Sequence, residues 1–206
     1  MIKSELKEQV AAAARNLWSK GLSTGKDGGD VSLRDPETNF VYICPRPGKA
    51  LPRIINWGIT QSEHIVVIDM NGNKVEDTPI DPTVEFPMHL YIYKNRPEIN
   101  AIVHSHAEYS SAFAVTGQNI PHALAETHQI GGEIICAEYG KVGSTELAEN
   151  IIKALGQNKK AALLCNHGAV AIGSDMEDAF IVSDYMEKQA KVVIMAKCIG
   201  QIIPLE

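Results

Sequence analysis

Two histidines, His104 and His106, stand one serine apart at the end of the apolar run AIV. Residues i and i+2 of an extended strand share a face, so these two imidazoles can converge on one point. A third histidine, His167, closes a second apolar run, AALLC, between Asn166 and a glycine, Gly168, that allows close approach. Three imidazoles with no cysteine among them suit a divalent, zinc-type ion that keeps coordination positions open for a substrate. That is the arrangement of a catalytic site and not of a structural one. The pattern points to a metal-dependent enzyme. His64, His89, His122 and His128 have no comparable setting and stay unassigned.

A second chemical feature is the stretch GLSTGKDGGDVSLRD, in which four glycines fall between Gly21 and Gly29. So many glycines do not serve a helix; they supply backbone freedom, and such a loop can cradle an anion through its N–H groups. Glu85 falls in the first turn of a helix expected to start at Asp81, Pro82 and Thr83 and to run to about Asn95. A carboxylate there is favoured by the helix dipole, so its position alone does not mark a function. The segment PRPGKALPRI has three prolines and reads as a loop carrying Arg46, Lys49 and Arg53.

The elements that must position these groups follow from periodicity. Leu6, Val10, Ala13, Ala14 and Leu17 recur at helical spacing from Ser4 to Lys20, and Gly21 is the stop. Strands are expected at FVYIC and at HIVVIDM, the latter closed by an Asn71-Gly72 hairpin turn. After the histidine strand come a short helix through SSAFAV and a loop from Pro121 to Gly132 holding His122, Glu126 and His128. The strand EIICA follows, then a helix from Ser144 to Leu155 stopped by Gly156. KAALLCNHGAVAIG reads as two strands meeting at Gly168. Ser174 and Glu177 form a capping box ahead of a long helix ended by Gly200. Hairpin signals among alternating helices and strands favour a mainly antiparallel sheet covered by helices over a doubly wound parallel one. The fold class is α/β, with one domain over residues 1–206.

Composition bounds the function. The chain has 206 residues, 45% of them hydrophobic, enough to bury a full core. A net charge of -6 excludes a broad basic nucleic-acid surface. Cys44, Cys136, Cys165 and Cys198 are widely spaced and mostly lie in apolar runs, as reduced core residues do. No apolar run approaches the roughly 18 residues that cross a bilayer, and MIKSELKEQV lacks a signal-peptide segment. The expected location is the cytoplasm, with no membrane partner.

Taken in order, GGDVS, the carboxylate in DPTVEFPMH, IVHSH, LCNHGAVA and a long closing helix resemble the class II aldolase and adducin family. This family includes L-fuculose-1-phosphate aldolase, L-ribulose-5-phosphate 4-epimerase and the adducin head domain. The resemblance spans essentially the whole chain. It implies a three-layer sandwich with a central mostly antiparallel sheet, and a homotetramer with active sites between subunits. It further implies a divalent metal on His104, His106 and His167, Zn2+ first, with Mn2+, Co2+ or Fe2+ as alternatives. Glu85 becomes the acid/base group and an additional metal ligand at rest. Gly28, Gly29, Asp30, Thr83, Lys26 and Arg46 become the substrate-binding positions for a small sugar or sugar phosphate. The implied reaction is retro-aldol cleavage of a ketose or ketose phosphate through a metal-stabilised enediolate. An epimerase, decarboxylase or dehydratase would use the same site. An adducin-like binding module would be expected to have lost the histidines, which this chain keeps, and a metal-binding protein without chemistry would have no use for Glu85.

The chain also departs from the family pattern. Asp30 stands where the phosphate loop usually carries Asn, and a carboxylate beside a phosphate is repulsive unless a cation such as Lys26, Arg46 or Lys49 intervenes. Thr83 and Val84 replace a frequent serine pair, and Ala125 occupies the place of the aldolase tyrosine, with Glu126 or His128 as substitutes. The chain also ends at QIIPLE, without the longer tail of several relatives.

Overall fold

Short runs of β-branched and small residues, too brief to stand alone, share one sheet that is buried on both faces. The structure is a computed structural model describing residues 1–23, 28–46 and 56–205. Its strands are β1 (Asp30–Arg34), β2 (Val41–Ile43), β3 (Val66–Ile68), β4 (Ala101–Ser105), β5 (Ile135–Ala137), β6 (Ala161–Leu164) and β7 (Gly168–Gly173). They lie in the order β3-β2-β1-β4-β7-β6-β5, and each pairing is antiparallel except β5 with β6. The helices are α1 (Ser4–Ser19), α2 (Phe86–Asn95), α3 (Glu108–Thr116), α4 (Thr145–Leu155) and α5 (Met176–Lys197).

Alternate strand residues feed two separate cores, as the period of two requires. On one face Val31, Leu33, Val103 and Ala171 pack with Leu17 of α1, Phe113 of α3 and Met186 of α5. On the other, Ile43, Ile102, Val170 and Ile172 pack with Met88 and Ile92 of α2 and Ile151 of α4. The result is three layers forming a single α/β domain, the mostly antiparallel sheet lying between α1, α3 and α5 on one side and α2 and α4 on the other. Among the described residues no helix is long and apolar enough to cross a membrane.

Three local expectations are corrected. DVSLR, assigned to the glycine loop, is β1, a central strand between β2 and β4. Its polar residues hide the strand signal because Asp30 and Ser32 are buried against partners supplied from α2. The helix after Asp81 starts at Phe86, not at Thr83. The Thr83 N–H is donated to the Cys44 carbonyl and Pro82 bridges Pro45, which holds this stretch extended beside the end of β2. Pro87 then sits in the first turn, where its missing N–H costs no hydrogen bond. At α5 the cap is Asp175 and not Ser174: its carboxylate accepts the Asp178 N–H at 2.8 Å, while the Ser174 N–H is donated to the Asp178 carboxylate.

Ile102, fully buried in β4 against the α2 and α4 core, reports on how much that core stabilises the site strand. Ile102→Ala is expected to cost about 2–5 kcal/mol through lost burial and a residual cavity. A urea titration should show this as a lower midpoint at unchanged slope.

Candidate metal centre and its carboxylate

The pairing of β4 with β7 sets His104 opposite Val170 and Ser105 opposite Ala169. His104 Nδ1 lies 2.9 Å from the Ala169 carbonyl oxygen. A carbonyl only accepts, so Nδ1 carries the proton and Nε2 keeps its lone pair for a ligand. His106 follows the strand end, where its backbone N–H is donated to the Leu22 carbonyl, and its Nε2 is 3.2 Å from that of His104. His167 stands in the tight turn between β6 and β7. Asn166 there takes a left-handed conformation with φ of 56°, and the His167 N–H closes on the Leu164 carbonyl. Gly168 is required by packing: a Cβ would lie 2.4 Å from the Ser105 carbonyl oxygen and 2.9 Å from the His106 ring. The three rings stand 4.8–5.0 Å apart, each steeply inclined to the others, and their ligand nitrogens lie within 4.8 Å of one another. This group could hold a metal ion.

Glu85 completes the cluster. It is the N-cap residue immediately before α2, only 4% exposed, with Oε1 3.8 Å from His167 Nε2. Both carboxyl oxygens and His167 Nδ1 are buried without a hydrogen-bond partner among the described residues. Burial, reinforced by the charge of Asp30, raises the Glu85 carboxyl to about 8. Burial lowers His104 and His167 to about 4, the Asp30 charge opposing it in both, so at neutral pH their imidazoles are uncharged and available as ligands. Neutral nitrogens and an unsatisfied carboxyl around one point suit a cation, which would stabilise the ionised form of Glu85.

Behind this cluster lies a buried polar chain. Asp30 pairs with His104 in the β1–β4 register and is 2% exposed. Its Oδ2 accepts the Thr83 hydroxyl at 2.5 Å. Its Oδ1 lies 2.9 Å from His89 Nε2, in a geometry that does not make a hydrogen bond. Burial works to raise its carboxyl, but the proximity of His89 and His104 and the Thr83 hydrogen bond outweigh it and hold the group at about 2. His89 Nδ1 meets Ser32 Oγ at 2.7 Å, and Ser32 Oγ meets the Tyr93 hydroxyl at 2.7 Å. Glu85, His89 and Tyr93 therefore form an i, i+4, i+8 stripe on α2, the spacing that could have drawn His89 out of the unassigned histidines.

The remaining sequence candidates are dispersed. Gly29 has φ of +75°, and a Cβ on it would lie 2.5 Å from the His104 carbonyl oxygen, so β1 enters the sheet tight against β4. The Gly29 carbonyl accepts from the Trp57 indole at 2.9 Å. Gly28 is the half-buried residue before it. Lys26, Lys49 and Arg53 lie outside the described residues. Arg46 is exposed, its backbone N–H donated to the Asp81 carbonyl. Ala125 is exposed in a 3-10 turn, Glu126 is salt-bridged to Lys188 at 2.6 Å, and exposed His128 lies beside His122.

The shifted groups give opposite pH dependences in metal-free protein. His104 and His167 are depressed from 6.5, so their contribution to stability is present above pH 6.5 and is lost as pH falls through about 4. Glu85 is raised from 4.5, so its contribution is present below pH 4.5 and is lost as pH rises through about 8. Glu85→Gln removes only the second effect. In chelated protein the variant is expected to match wild type near pH 4.5 and to gain in Tm progressively up to pH 8, by roughly 2–4 °C per kcal/mol. Thermal melts across that range test it.

Comparison with known proteins gives a consistent result. Residues 8–194 match the family described as Class II Aldolase and Adducin N-terminal domain. An L-fuculose phosphate aldolase of Methanococcus maripaludis is 34% identical over 86% of this chain and 90% of its own length. A 5-deoxy-D-ribulose 1-phosphate aldolase of Bacillus thuringiensis is 29% identical over 98% of this chain and 90% of its own. A solved L-fuculose 1-phosphate aldolase superposes with a TM-score of 0.91 at 32% identity, covering 100% of this chain and 92% of that one. Matched along nearly its whole length by the family and by relatives that are aldolases, the chain belongs to the class II aldolase and adducin family, among its aldolase-type lyases.

Proposed function

We propose that this enzyme cleaves a small ketose phosphate by a metal-dependent retro-aldol reaction, with His104, His106 and His167 holding the ion and Glu85 carrying the proton. The observation that carries this reading is the placement of Glu85, buried beside the three imidazoles with both oxygens unpartnered. When bound, the ion supplies Lewis-acid stabilisation of negative charge developing on the substrate oxygens. The chain's own part is acid–base and positional. Protonated Glu85 can deliver its proton to the carbon from which the aldehyde departs, and its carboxylate can take a proton from that carbon in the synthetic direction. The Ala169 carbonyl fixes the tautomer of His104. The buried walls around Glu85 keep water from competing for the proton.

The printed names of two relatives, fuculose phosphate and 5-deoxyribulose 1-phosphate aldolases, favour an open-chain ketose 1-phosphate as substrate. Backbone N–H groups at Gly28 and Gly29 with the cations Lys26 and Arg46 are the proposed anion contacts. Zinc is the proposed ion on the chemistry of an all-imidazole donor set, with Mn2+, Co2+ or Fe2+ as alternatives. A homotetramer with sites completed between subunits is proposed from the family resemblance alone. The four free cysteines support a reducing, cytoplasmic location.

Metal analysis and a cleavage assay over phosphorylated and free ketoses, before and after chelation, test this function. One ion per chain and chelator-sensitive release of an aldehyde are expected. Glu85→Gln should retain the ion and lose about 10²–10⁴ in kcat, whereas His106→Ala should lose both ion and turnover. Retained turnover in Glu85→Gln removes Glu85 from the chemistry, and an epimerised or decarboxylated product replaces the lyase reading.

A further inference from the structure

We infer that Asp30 and Thr83 form a positioning pair that sets the place of Glu85 relative to the histidines, and that neither side chain is a contact for the substrate phosphate. This rests on the proposed role of Glu85. The family resemblance puts both residues among substrate-binding positions; the hydrogen bonds give them a different task.

A threonine hydroxyl has one proton to give. Thr83 donates it to Asp30 Oδ2 at 2.5 Å, and a carboxylate can only accept, so the direction is unambiguous. The same Thr83 oxygen accepts the Glu85 backbone N–H at 3.3 Å. The hydroxyl is therefore used on both sides, with no proton left for an anion. Asp30 is also turned inward: Oδ2 takes the Thr83 hydrogen bond, Oδ1 lies 2.9 Å from His89 Nε2 in a contact that is not a hydrogen bond, and the residue is 2% exposed. Its charge is turned into the protein.

The two attachments bracket Glu85 in the chain. Thr83 lies two residues before it and His89 one helical turn after it, and both reach the same carboxylate on β1. That strand is in register with β4, Asp30 directly opposite His104. Glu85 needs such an arrangement because no hydrogen bond among the described residues holds its own carboxyl oxygens. Its distance from His167 is then set by the backbone at the start of α2. Asp30 ties that backbone to the strand that carries the histidines.

The test compares Thr83→Val, which keeps the shape and deletes the hydroxyl, with Thr83→Ser, which restores it. In metal-loaded enzyme Thr83→Val is expected to lower kcat at least 10-fold with KM within 2-fold of wild type, and Thr83→Ser to rescue most of that loss. Inorganic phosphate should inhibit wild type and Thr83→Val with the same constant. A crystal structure of metal-free Thr83→Val should show Glu85 Oε1 displaced from its 3.8 Å separation from His167 Nε2. This last measurement does not depend on aldolase activity, so the pair stays testable even if the proposed reaction is wrong. A raised KM with unchanged kcat and weakened phosphate inhibition overturns the inference in favour of an anion contact. Equal losses in the serine and valine variants, or an unmoved Glu85 in the crystal structure, overturn it as well.

Discussion

The pairing of β4 with β7 is the constraint on which the site depends. Antiparallel hydrogen bonds fix Ser105 against Ala169, and with that register His104 and His106 at one strand end meet His167 at the start of the next strand. Side-chain size at one position protects the approach. Any side chain at 168 would meet the Ser105 carbonyl and the His106 ring, so the Asn166-His167-Gly168 turn joins a left-handed residue, an imidazole of the cluster and a clearance in three consecutive positions. The same economy recurs at Gly29, which lets β1 close on β4 from the other side. Two glycines therefore admit the backbones that flank His104.

Burial gives this geometry its chemistry. Two carboxylates near the same imidazoles are driven in opposite directions: Asp30 is held ionised by His89, His104 and Thr83, while Glu85, buried without partners and facing the charge of Asp30, is held protonated. Such divergence separates a structural anion from a group able to exchange a proton. His104 and His167 are lowered by the same desolvation, which keeps these two neutral and able to ligate. A cation would satisfy the orphaned carboxyl, so the cost of burying it is incurred where an ion can offset it.

Family membership gives the reaction class, and one departure from the family pattern becomes intelligible in the fold. A carboxylate at 30 would repel a phosphate if it faced the glycine loop. Its oxygens instead face Thr83 and His89, so that objection to a phosphorylated substrate loses its force. The place of the aldolase tyrosine is less accounted for: Ala125 is exposed, and Glu126, one candidate substitute, is engaged with Lys188.

The grouping of His104, His106 and His167, which could hold a metal ion, was legible in the linear order, because strand periodicity puts residues i and i+2 on one face and a glycine beside His167 signals close approach. The central mostly antiparallel sheet and most helices were legible for the same local reason, the repeat of apolar residues. The role of His89 was only half legible: its spacing from Glu85 puts both on one helix face, but its contacts with Asp30 and Ser32 exist only once that helix is laid across β1. DVSLR did not read as a strand because its buried polar residues are satisfied by α2, more than fifty residues away. Tertiary contacts also moved the start of α2 to Phe86, through the Thr83 N–H donated to the Cys44 carbonyl and the Arg46 N–H donated to the Asp81 carbonyl, just past the end of β2. The sequence by itself determined which residue types were available and which segments could be strands or helices, because those depend on neighbours along the chain. Only the tertiary structure decided that Asp30 faces inward and that Glu85 is raised to about 8, because direction and desolvation depend on neighbours in space.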